Sequence, residues 1–125
     1  MSITTSVYND KQLTTHTVIG EISFEEEMTT LRQFWVGQST MNVLWDFRKG
    51  SMAQFSFIEI DRVADYVTFQ AEKRAGGKTA TVVSRDSEYG LSRLIDTLRD
   101  MRKVPLQLKI FRSIEKANQW LDEED

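Results

Sequence analysis

Three times along this chain a short alternating apolar run ends in a polar cap and opens an amphipathic helix, at Met41–Phe47, Lys78–Ser84 and Leu106–Arg112. Strands that alternate with helices pair in parallel through right-handed crossovers. The helix N-termini then gather along one edge of one sheet.

The predicted helices carry their own punctuation. Ser23 with Glu26 forms a capping box, followed by a buried stripe of Phe24, Met28, Leu31 and Trp35 that ends near Gly37. The next helix has two competing starts, Ser51 with Gln54 and Ser56 with Glu59, a stripe of Phe57, Ile60, Val63 or Ala64, Val67 and Ala71, and a stop at Ala75-Gly76-Gly77. Arg85-Asp86-Ser87-Glu88 caps a helix whose face holds Leu91, Leu94, Ile95, Leu98 and Met101, and Ser113 caps a last one with Ile114, Ala117, Trp120 and Leu121. The acidic run from Asp122 to Asp125 is expected to fray. Before the first helix, β-branched residues around the turn-prone Asn9-Asp10 predict a short edge strand and a longer one from Leu13 to Ile22.

These strands alternate where buried parallel strands usually read as continuous apolar runs. Met41, Val43, Trp45 and Phe47 point one way, and Asn42, Leu44 and Asp46 the other. One face is therefore the main core, with helices mainly on that side.

The chain of 125 residues, 40% of them apolar, suits one domain with one core. Its net charge of -3, from 16 basic and 19 acidic residues mixed along the chain, argues against a general nucleic-acid binder. The absence of cysteine and the single histidine, His16, remove thiol catalysis and the usual zinc sites; no cofactor or metal is expected. The N-terminus lacks a signal-peptide pattern and no run approaches a membrane span, so a cytoplasmic protein without an integral membrane segment is expected.

The element order, with Gly20-Glu21-Ile22-Ser23, Val43-Leu44-Trp45-Asp46-Phe47, Ala75 to Val83, Tyr89-Gly90-Leu91-Ser92-Arg93 and Phe111 to Leu121, resembles the SpoIIAA-like fold of bacterial STAS domains, shared with the lipid-binding CRAL-TRIO (Sec14-like) group. The resemblance covers nearly the whole chain, 1–125. It implies an α/β domain with a mixed, mostly parallel sheet of about five strands and four helices mainly on one face. In STAS anti-anti-sigma factors, a serine in an Asp-Ser-Ser-Gly motif after the central strand is phosphorylated; here Arg48-Lys49-Gly50-Ser51-Met52-Ala53-Gln54-Phe55-Ser56 stands in its place. By position only Ser51 or Ser56 answers to that serine.

Arg48 and Lys49, Arg85, and Arg112 each follow a predicted strand end just before a helix, and with Ser87 they outline an anion site. Solvated cations beside ordinary helix caps account for the same residues. Gly77-Lys78-Thr79 is not a phosphate-binding loop, since it enters a strand instead of leaving one. His16 reads as a structural or exposed strand residue, and the three tryptophans as core. Surplus apolar residues on the long helix, Phe55, Tyr66 and Phe69, suit a contact patch.

Two functions follow from the resemblance and these residues. One is a non-enzymatic regulatory or protein-interaction domain, with a protein partner or a homodimer as its complex. The other is a carrier or sensor of a small anionic or amphipathic, lipid-like ligand.

Overall fold

The computed structural model describes residues 2–37 and 39–123. Its elements run β1 (Ile3–Tyr8), β2 (Leu13–Glu21), α1 (Phe24–Val36), β3 (Asn42–Ser51), α2 (Phe57–Gln70), β4 (Lys78–Val83), α3 (Glu88–Asp96), β5 (Gln107–Phe111) and α4 (Ile114–Asp122). The acidic tail expected to fray divides: Asp122 closes α4, Glu123 caps it, and Glu124 and Asp125 lie outside the described residues.

The five strands stand in sequential order, β1-β2-β3-β4-β5. Among the described residues only the β1–β2 hairpin is antiparallel; the other three pairings are parallel. Each crossover steps one place in the same direction, so right-handed connections put α1, α2 and α3 on one face. Met28, Leu31 and Trp35 of α1, Ile60 and Val63 of α2, and Leu91 and Leu94 of α3 accordingly meet Val43, Trp45 and Phe47 of β3 in one core. The fourth helix follows the last strand, with no further strand to reach, and folds back across the other face. There Ala117 and Leu121 cover Leu44, Ala80 and Val82 in a second, smaller cluster. This is why β4 is buried along its entire length while β3 alternates less cleanly than its sequence suggests.

Two details depart from the sequence expectation. Phe57 and Met101, placed on apolar stripes, are 63% and 77% exposed. Phe57 is the first residue of α2, where the helix has not yet reached the sheet. Met101 ends a wide turn in which Arg102 N bonds Thr97 O, five residues back, and the longer repeat carries it off the α3 stripe. Of the surplus residues expected on the long helix, Phe69 is 82% exposed and Tyr66 half-buried, while Phe55 precedes α2 and is buried.

The glycines before β4 do more than stop a helix. Gly76 adopts a φ of +85°, and a Cβ on Gly77 would lie 2.2 Å from the Met41 carbonyl oxygen. Close approach of the two chain entries into β3 and β4 requires glycine at that position.

Candidate functional site

The C-terminal edge of the sheet is where the helix starts of α2 and α3 gather, and side chains there fall into two groups. β3 does not end at Phe47 but runs on to Ser51, because Ile19, Gly20 and Glu21 of β2 pair with Lys49, Gly50 and Ser51. Arg48 and Lys49 are therefore strand residues beyond the reach of β4, whose last partner is Phe47 with Val83. Arg48 turns back on Asp46 in a bidentate pair, Nε to Oδ1 at 3.0 Å and Nη2 to Oδ2 at 2.8 Å. The Arg48 amide also donates to Asp46 Oδ1 at 3.1 Å. Hydrogen bonding to the Arg48 side chain, more than any other cause, holds the Asp46 carboxyl below the usual carboxylate range.

Arg85 and Arg112 do come together. With Tyr89, Ser92 and Arg93 they line an open concavity of about 500 Å³ beside α3. Two acidic residues, Glu88 and Asp96, share it. Arg112 Nε donates to Glu88 Oε1 at 2.8 Å, so part of this positive charge is already met. Arg48 and Lys49 are not among its lining residues. The four cations proposed from sequence thus divide between two places.

Ser87 faces inward instead of toward an anion. It is 4% exposed, its Oγ accepts from the Ser84 amide at 2.9 Å, and α3 begins without a side-chain cap. Of the two serines after the central strand, Ser51 closes β3 and accepts from the Ala53 amide at 2.9 Å. Ser56 is the N-cap of α2: its Oγ accepts from Glu59 N at 3.1 Å, and Glu59 Oε1 accepts from Ser56 N at 3.0 Å. The competition between the two capping signals resolves to Ser56 because β2 extends β3 through Ser51.

What the sequence reading did not single out is the apolar company around this edge. Phe57 and Ile58 open α2 at 63% and 65% exposure, and Tyr89 opens α3 at 80%. The Arg93 guanidinium lies 3.5 Å from the Phe57 ring centroid, tying the two helix starts into one surface. Ile58 stands off the helical stripe beside a cap, and that was the available signal.

A second place of interest lies inside. A cavity of about 60 Å³ between the sheet and α1–α3 is lined largely by apolar side chains, with His16, Glu27 and Arg74 among its walls. His16 is buried, with Nδ1 2.9 Å from Thr5 Oγ1 and its ring against Trp45 at 4.2 Å. Arg74 Nη2 donates to Met41 O, Lys78 O and Thr79 Oγ1. Burial lowers its guanidinium to about 10. Among the described residues no group of three or more His, Cys, Asp or Glu side chains could hold a metal ion. No described helix is long and apolar enough to cross a membrane.

No protein-family profile matches the chain, and no curated protein matches it. Solved structures do. The anti-sigma factor antagonist SpoIIAA in its unphosphorylated form superimposes with a TM-score of 0.62 at 10% identity, over 98% of this chain and 99% of that one. An uncharacterised DUF3478-family protein with a SpoIIAA-like fold, from Shewanella loihica PV-4, gives 0.59 at 16% identity, over 95% and 91%. The fold of this chain is SpoIIAA-like.

Proposed function

We propose that this chain is a non-enzymatic regulatory domain of the STAS type that works by binding a protein partner in the cytoplasm. One observation carries the reading: the exposed Phe57, Ile58 and Tyr89 form, with the half-buried Arg93, an aromatic and guanidinium surface at the starts of α2 and α3. Aromatic residues and arginine are the side chains that most often anchor protein interfaces, and large exposed apolar groups rimmed by charge mark contact sites. Arg85 and Arg112 on the adjoining concavity suit a partner that presents acidic groups. The SpoIIAA-like fold supports an interaction role. Ser56 stands between the β3 end and Phe57, so a phosphate on its Oγ would face the Glu59 carboxylate that now completes the cap and disturb the neighbouring surface. A second copy of the chain is one candidate partner.

The test is affinity capture from the source cells with the wild-type chain and with the double variant Phe57→Ser/Tyr89→Ser, alongside light scattering of each. A defined partner, or a dimer, held by the wild type and lost by the variant is the expected result. Equal capture by both, with both monomeric, would refute the reading.

A second reading, a carrier or sensor of a small amphipathic molecule, is favoured by the interior cavity and its polar wall residues.

A further inference from the structure

Glu27 occupies a position where the helix calls for an apolar residue. It lies in the first turn of α1, one and two turns before the buried Leu31 and Trp35, and it is 4% exposed. Its neighbours have ordinary work or ordinary exposure: Glu26 completes the cap with Ser23, and Glu25 faces solvent. Glu27 points into the core and lines the cavity, yet its Oε1 has no hydrogen-bond partner.

Two other polar residues on that wall have partners. His16 Nδ1 lies beside Thr5 Oγ1, and the Arg74 guanidinium donates to Met41 O, Lys78 O and Thr79 Oγ1. Gln70 Oε1 is the other unpartnered buried oxygen among the described side chains, and it does not line the cavity. A buried carboxyl without a partner is strongly disfavoured, and such groups call for an explanation. Here the open space beside it supplies one.

Resting on the carrier reading, we propose that this cavity is a binding site for a small uncharged amphipathic molecule, an alcohol or amide with a short apolar body, whose polar group pairs with the Glu27 carboxyl. The apolar part packs against Leu31 of α1, Val63 of α2, Leu91 of α3 and Trp45 of β3. At about 60 Å³, where one enclosed water needs about 10–15 Å³, the space admits a body of a few non-hydrogen atoms. A charged ligand is disfavoured because the wall is largely apolar and the Arg74 guanidinium on it already donates to Met41 O, Lys78 O and Thr79 Oγ1. Burial raises the Glu27 carboxyl to about 8, which keeps it protonated near neutral pH and able both to donate and to accept.

The experiment follows methyl NMR shifts of Leu31, Val63 and Leu91 in the full chain during titration with isobutanol and, separately, under xenon pressure. Wild type, Glu27→Gln and Glu27→Leu are compared, with Glu27→Met in reserve should leucine not be accommodated. Isobutanol is expected to saturate wild type and Glu27→Gln and to bind Glu27→Leu about tenfold more weakly, the loss of one net hydrogen bond, while xenon enters all three. Equal isobutanol affinity in all variants would overturn the role of Glu27 and leave the cavity reading standing. Silence of the methyls toward both probes would overturn the two together. Water cross-peaks to these methyls that isobutanol does not displace would assign the space to bound water and overturn the ligand proposal.

Discussion

Two buried titratable groups pull the stability of this protein in opposite directions with pH. Burial raises the Glu27 carboxyl to about 8, and burial, then the charge of Arg74, lower the His16 imidazole to about 4. The folded chain keeps a Glu27 proton that the unfolded chain releases near its ordinary value of about 4.3, so stability falls as pH rises from there to about 8. His16 acts in reverse: the unfolded chain takes up a proton below 6.5 that the folded chain refuses until about 4, so stability falls as pH drops through that window. Between roughly pH 4.5 and 6.5 the two slopes oppose each other, and above that only the Glu27 decline remains. Urea midpoints of the wild type are expected to fall between pH 6.5 and 8, with a slope approaching ~1.4 kcal/mol per unit, and those of Glu27→Gln to stay level. Parallel curves for the two proteins would contradict this. None of it was legible in the chain, where Glu27 is one of three consecutive glutamates and His16 sits in a threonine-rich run. Burial depends on what packs above a residue.

At the scale of elements, caps and stripes were the readable part. Ser23 with Glu26, Ser56 with Glu59, and Ser113 all cap helices as their local spacing implies. Local spacing offered Ser51 equally, and the long-range pairing of Gly20 and Glu21 with Gly50 and Ser51 decided against it. Ser56→Ala is therefore expected to cost about 1 kcal/mol in chemical denaturation, and Ser51→Ala only a few tenths. Equal losses would mean that the α2 start is shared between them. The candidate edge site was half legible for a related reason. Arg85 and Arg112 lie just beyond the ends of neighbouring strands and share one concavity, whereas Arg48 sits on a strand longer than its apolar run and pairs with Asp46. The Phe57, Tyr89 and Arg93 surface needed two helix starts side by side, which no single segment encodes.

For the whole molecule, the consequence of sequential strand order is a sheet covered by three helices on one face and by α4 alone on the other. α4 is anchored at its end as well as along its apolar stripe. Lys78, 5% exposed at the start of β4, donates from Nζ to the carbonyls of Trp120 at 2.9 Å and Glu123 at 2.6 Å. A cation there meets the negative end of the helix and its unpaired carbonyls. Lys78→Met is expected to lower global stability by about 1–3 kcal/mol and to speed amide exchange in α4 more than in α1–α3; uniform exchange would show that α4 is held by packing alone. The lysine that resembled part of a phosphate loop is thus a helix anchor, a role visible only once β4 and α4 cross. By itself the sequence determined the fold class, the number and type of elements, most of their caps and the apolar side of the central strand, since these depend on spacing within a few residues. Only the tertiary structure decided the strand order, the length of β3, the separate face taken by α4, the separation of Arg48 and Lys49 from Arg85 and Arg112, and the enclosure of Glu27. Each of those is set by contacts between residues far apart in the chain, where local propensity is silent and the burial of apolar surface chooses the arrangement.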